Sequence, residues 1–131
     1  MKYPASVEDL RYCEDKLPHT RLEVEQMTAH DAKRAGSLAS KLMKKHGVNW
    51  ITFNGKTMTY RTTEKGEHYK LIRELMRLKL EQNAQVREVL LSTGSLVLMP
   101  DHHARTDSPP AWKYNHIWMD FRKTLKAGKS L

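Results

Sequence analysis

Within residues 67–94, Leu71, Ile72, Leu75, Met76 and Leu80 recur at three- and four-residue intervals, so their side chains share one stripe of an amphipathic helix. The rest of the chain is organised around this helix. Lys79 falls on the same stripe, three residues after Met76 and four after Leu75, where a cation either snorkels to water or meets an anion such as phosphate. The pattern breaks near Asn83, and a shorter helix over 84–93 is expected to bury Val86, Val89 and Leu90 before Gly94 ends it. Residues 96–99 are apolar on both faces and predict a short buried extended segment.

Upstream, Ser6 with Asp9 has capping-box spacing and opens a first helix over 7–17, stopped by Pro18, with Glu8 in its first turn. Thr28 with Asp31 repeats that spacing ahead of a stripe of Ala32, Ala35, Leu38, Ala39, Leu42 and Met43 that ends at 44–47. Its small-residue face predicts close packing on another helix, or else a break at Gly36. Asn54-Gly55 between β-prone runs signals a two-stranded ribbon. A last helix over 116–127 buries Ile117, Phe121 and Leu125 and stops at Gly128. The pattern therefore predicts a mainly α fold with a small β-ribbon, of the α+β class, as one domain over residues 1–131.

Composition fits that picture. The chain has 131 residues, 39% of them hydrophobic, which suffices for a core. Cys13 is alone, so no intramolecular disulfide forms, and the N-terminus lacks an apolar signal core, which makes the cytoplasm the expected compartment. No apolar run is long enough to span a bilayer. The net charge of +8 is regional: residues 1–25 carry four basic and six acidic side chains, net −2, whereas residues 26–65 carry eight and two, net +6. The last ten residues add Arg122, Lys123, Lys126 and Lys129 with no acid. Such patches suit a polyanion, either nucleic acid or a phosphorylated metabolite.

Three constellations bear on chemistry. Asp101, His102 and His103 match no zinc spacing, and Cys13 with scattered histidines is not a nucleophilic dyad, so neither a metal nor a thiol mechanism is expected. Asp107, Trp112 and Asn115 lie in a loop stiffened by Pro109 and Pro110, which offers a carboxylate, an aromatic face and an amide to a base and its sugar. The plainer alternative packs Trp112 in the core and has Asn115 cap the last helix.

Met76-Arg-Leu-Lys79-Leu-Glu-Gln-Asn83, Leu90-Leu-Ser-Thr-Gly94, an apolar stretch, an Asp before Trp112, Asn115 and Met119-Asp-Phe-Arg122 together resemble the NADAR, or YbiA-like, family in the order of its motifs. Ala32 to Gly36 and the opening Tyr3-Pro4-Ala-Ser6-Val7-Glu8, with Lys16 downstream, extend the resemblance over the chain. The His-Tyr-x-Gln that follows the family's glutamate is not kept, and the loop from Asp107 to Trp112 lacks the usual glycines. Glu67-His68-Tyr69 spells the acidic motif more closely than Glu8 does but follows the Ala-rich helix, which makes Glu67 the alternate acid.

The resemblance implies a compact NADAR-like fold that cleaves an N-glycosidic bond without a metal or other cofactor. Its expected substrate is ADP-ribose on guanine in DNA, the product of a DarT-type toxin, with a ribosylated pyrimidine phosphate of riboflavin synthesis as the alternative. A third reading is an inactive basic module that binds nucleic acid or a partner protein. On this resemblance a carboxylate, Glu8 or Asp107, stabilises the developing positive charge and activates water, and Lys79 and Lys16 hold phosphate or ribose oxygens. Trp112 stacks on the base, Asn115 fixes a hydroxyl, and Trp50 and Arg61 complete the substrate-binding set. A compact chain of this kind also suits a viral genome, which makes a phage protein acting in the host cytoplasm the expectation.

Overall fold

The fold is that of a computed structural model, which describes residues 19, 21–100 and 107–131. The expected first helix over 7–17, with Glu8, Cys13 and Lys16, and the Asp101 to His103 cluster lie outside the described residues. The elements in order are α1 (Arg21–Glu25), α2 (Ala29–Lys45), β1 (Trp50–Phe53), β2 (Lys56–Thr59), α3 (Glu67–Gln82), α4 (Ala84–Ser92), a 3-10 turn (Pro110–Trp112) and α5 (Tyr114–Lys126). The chain is mainly helical with one small antiparallel sheet. It divides near the end of β2 into two units, residues 1–58 and 59–131.

In the first unit, Thr28 caps α2 as its spacing predicts: Oγ1 accepts from the Asp31 amide at 3.4 Å and donates to the Asp31 carboxylate at 2.9 Å. α2 runs unbroken through Gly36, where a Cβ would meet nothing within 4 Å. The break expected as the alternative does not occur; among the described residues nothing packs on Gly36, and Ala35 is the buried residue of the small-residue face. Gly47, at φ 66°, closes α2: its own amide bonds to the Lys44 carbonyl and the Val48 amide to the Met43 carbonyl, a Schellman end. Asn54 and Gly55, both at positive φ, make the two-residue turn of the ribbon. Trp50 and Met58 are its buried side chains.

The second unit packs α3, α4 and α5 around Met76, Leu80, Leu90, Ile117 and Phe121. Leu80, Ile117 and Phe121 are at most 2% exposed, and full burial of such side chains is worth about 1.5–3 kcal/mol each. The buried face of α3 is the row His68, Ile72, Met76 and Leu80, each four residues from the last. The neighbouring row, Leu71, Leu75 and Lys79, rolls toward water. Leu75 is 46% exposed, against its expected core position, and Lys79 is exposed beside it. The cation that looked misplaced on the stripe stands at its edge.

Asn83 separates α3 from α4 as predicted, its side chain donating to the Lys79 carbonyl at 2.8 Å. Val86 packs on the core, whereas Val89, expected to be buried, is 60% exposed at the edge of the face that Val86 and Leu90 turn inward. The larger correction concerns residues 96–99. They form no strand, and Leu96, Val97 and Met99 are exposed, leaving only Leu98 against the core. The reason is that α5 holds this strap by its carbonyls. Arg122 donates to Leu96 O at 2.7 Å, Asn115 donates to Leu98 O at 3.0 Å, and Lys126 donates to Gly94 O. With alternate carbonyls turned inward onto polar anchors, most of the side chains turn out.

Candidate functional site: an aromatic shelf and its cavity

Trp112 is set by the two prolines before it. Pro110 occupies the start of the 3-10 turn, where its missing amide costs nothing, and the Trp112 amide bonds to the Pro109 carbonyl at 2.9 Å. The ring does not enter the core; it stays 36% exposed. The Arg61 guanidinium lies over it, 4.7 Å from the centroid, and also 5.0 Å from the centroid of Tyr60. Tyr60 is fixed in turn by the buried His68 ring, edge-on with centroids 5.0 Å apart. The result is a layered shelf in the order His68, Tyr60, Arg61 and Trp112.

Two features of Arg61 mark it as specialised. Its backbone sits at φ 59°, a left-handed conformation that non-glycine residues adopt at a cost. Among the described residues its guanidinium has no carboxylate partner, so its N–H donors are not spent on a salt bridge. A guanidinium held flat by two rings keeps its fork available for an oxyanion.

Beside the shelf lies an open cavity of about 370 Å³, lined by Leu98, Met99, Pro100, Trp112, Tyr114, Asn115 and Trp118. Its wall is apolar and aromatic, with Asn115 and the Tyr114 hydroxyl as polar groups. Burial, and secondarily electrostatic repulsion from the nearby Tyr60 side chain, pushes the Tyr114 hydroxyl above its ordinary pKa, so it stays a proton donor at neutral pH. Burial likewise holds the His68 imidazole below its ordinary value, and among the described residues His68 Nδ1 is enclosed without a hydrogen-bond partner. His68 is thus a neutral support for Tyr60.

Of the predicted site residues, the structure brings Arg61, Trp112 and Asn115 together. Asn115 spends its amide on the strap carbonyl of Leu98, so it shapes the cavity wall and does not cap α5, which begins at Tyr114 and not at the expected 116. Asp107 is exposed in the turn before the prolines and does not line the cavity. Lys79 and Glu67 do not line it either; Glu67 pairs with Lys70 at 3.3 Å in the first turn of α3. Trp50 is a buried residue of the first unit. Sequence reasoning missed Tyr60, Tyr114 and Trp118. The signal for Tyr60 and Tyr114 was their adjacency to Arg61 and Asn115, but nothing in their spacing places them at a shared site.

No family model, no curated protein and no solved structure matches this chain. Among the described residues, no helix is long and apolar enough to cross a membrane.

Proposed function

We propose that the protein binds a phosphorylated nucleoside at the Arg61–Trp112 shelf and hydrolyses its N-glycosidic bond, with ADP-ribose on guanine in DNA as the substrate. The observation that supports the recognition half is the Arg61 guanidinium stacked on Trp112 beside an aromatic cavity. A planar base gains about 1–3 kcal/mol by stacking on an exposed aromatic ring, and an oriented arginine fork suits a phosphate joined to it. The base would occupy the cavity between Trp112 and the strap, and the phosphate the Arg61 fork.

The hydrolytic half rests on the sequence resemblance. Water attacks the anomeric carbon as the bond to the base nitrogen breaks; the bonding pair leaves with the base, which takes up a proton. A carboxylate, Glu8 or Asp107, accepts the proton of the water and offsets the positive charge on the ribose. General-base assistance of this kind contributes roughly 100- to 10,000-fold, or about 3–5 kcal/mol. Lys16 and Lys79 are assigned to phosphate or ribose oxygens. The ribosylated pyrimidine phosphate remains the small-molecule alternative.

A second reading, a nucleic-acid-binding module without hydrolysis, is favoured by one observation: no carboxylate lines the cavity among the described residues. Mass analysis after incubation with an oligonucleotide bearing ADP-ribosylated guanine separates the readings. Release of ADP-ribose with intact guanine, abolished in Glu8→Ala, supports the glycosidase. Binding without release supports the module. Neither binding nor release of the modified oligonucleotide sinks the DNA reading in favour of a small metabolite.

A further inference from the structure

The first unit carries a charged surface that the shelf and cavity do not use. At about 100° per residue, Lys33, Ser37, Lys41, Lys44 and Lys45 of α2 fall within an arc of about 120° and extend over about 18 Å of helix. All five are exposed, and the buried Ala35 lies on the far side. Among the described residues none of these four lysines has an ion-pair partner, and Asp31, the acid of α2, is engaged by Arg34 at 2.5 Å.

An ordinary solvated helix face looks different, and α3 supplies the comparison within this molecule. There Lys70 pairs with Glu67, Arg73 with Asp120, and Arg77 with both Glu74 and Glu81. Interleaved acids give such pairs a few tenths of a kcal/mol each, whereas like charges three or four residues apart cost similar amounts. On α2 Lys41 stands three residues from Lys44 and four from Lys45, so the face works against its own helix. The helix dipole offsets this for Lys44 and Lys45 in the last turn, but not for Lys33 and Lys41.

We infer that this lysine face of α2 grips the phosphate backbone of a nucleic-acid strand, without reading its sequence. The charge complements a polyanion, and the cations are lysines acting as point charges. A membrane surface fits poorly, because α2 contains no aromatic residue and its apolar face opposite the lysines, Ala32, Ala35, Ala39, Leu42 and Met43, is buried or half-buried and not open to lipid.

The test uses the full chain and fluorescence anisotropy with a labelled oligothymidine, titrated from low to moderate salt. Such a strand carries neither guanine nor ADP-ribose, so the outcome is independent of whether the protein hydrolyses anything. Each lysine that neutralises a phosphate contributes about 0.7 to the slope of log affinity against log salt on single strands. Substituting Lys33, Lys41, Lys44 and Lys45 by Gln, which keeps helix propensity, is expected to flatten the slope by about two to three, with helicity retained by circular dichroism. Lys41→Gln alone is expected to flatten it by about 0.7, which covers the case in which the fourfold variant does not fold. An unchanged slope in Lys41→Gln and in a folded fourfold variant overturns the inference. So does displacement of the strand by polyglutamate at equal charge concentration, which would assign the face to an acidic protein.

Discussion

Arg122 tests whether the strap is held as its geometry implies. The residue is 8% exposed, carries a full charge and has no carboxylate partner among the described residues. It donates instead to Thr93 Oγ1 and to Leu96 O, both at 2.7 Å. Arg122→Met keeps the apolar stem beside the core and deletes both bonds. Hydrogen bonds from a charged donor are worth about 1.5–3 kcal/mol each, a gross loss of about 3–6 kcal/mol. Two terms reduce it: Leu96 is 69% exposed, so its carbonyl can hydrate, and removing an unpaired buried guanidinium relieves its desolvation cost. Thr93 Oγ1 also retains its own bond to the Leu90 carbonyl. The net expectation is a destabilisation of about 2 kcal/mol, seen as a lower urea midpoint with an unchanged m-value. Amide exchange over residues 94–98 should rise by more than the global loss accounts for, because the strap opens before the core does. A stability change below about 0.5 kcal/mol, or a stabilisation, would mean that desolvation outweighs the two bonds and would refute the clamp.

Gly36→Ala should raise stability by about 0.5–1 kcal/mol in chemical denaturation, because α2 is continuous there and the added Cβ meets open space; a loss would show a contact that the structure lacks. His68 sets a pH dependence whose sign follows from burial. Its folded pKa lies below the ordinary 6.5, so the unfolded chain takes up a proton first, and stability is complete above 6.5 and falls as pH drops from there toward the folded value. The limiting slope is about 1.4 kcal/mol per pH unit. His68→Leu should therefore lose less stability than the wild type between neutral and mildly acidic pH in parallel urea titrations; equal losses would place no titration at His68. Trp112→Ala should weaken ADP-ribose binding by about 5- to 150-fold in calorimetry while moving the melting temperature little; unchanged affinity would remove the shelf from recognition.

The elements were legible wherever a local signal decides them. Thr28 with Asp31, the pair Asn54-Gly55, the break at Asn83 and the glycines Gly47, Gly94 and Gly128 after α2, α4 and α5 act through neighbouring backbone, and each lies where the sequence places it. Burial was less legible, because a stripe spaced by three and four does not say which of its rows points inward. The row His68, Ile72, Met76 and Leu80 won over Leu71, Leu75 and Lys79 because α4 and the 3-10 turn pack against α3 and Leu90, Ile117 and Phe121 close the core on Met76 and Leu80. That choice depends in part on residues more than thirty positions away, Ile117 and Phe121 among them.

The strap shows why a site can be read in outline and misread in its roles. Residues 96–99 are apolar enough to be assigned to a core, and Asn115, Arg122 and Lys126 are polar enough to be assigned to chemistry or charge. In three dimensions these groups serve each other, since the polar side chains of α5 satisfy the strap's carbonyls and thereby hold its side chains outward. Leu98 and Met99 then form one wall of the cavity whose other wall is Trp112. Asn115 and Arg122 therefore hold the strap that walls the cavity, and on the proposed function their substitution is expected to act on ligand affinity through it. Arg61 and Trp112 differ in kind. Both are exposed, and the left-handed backbone at Arg61 is the conformation in which its guanidinium lies over Tyr60 and Trp112.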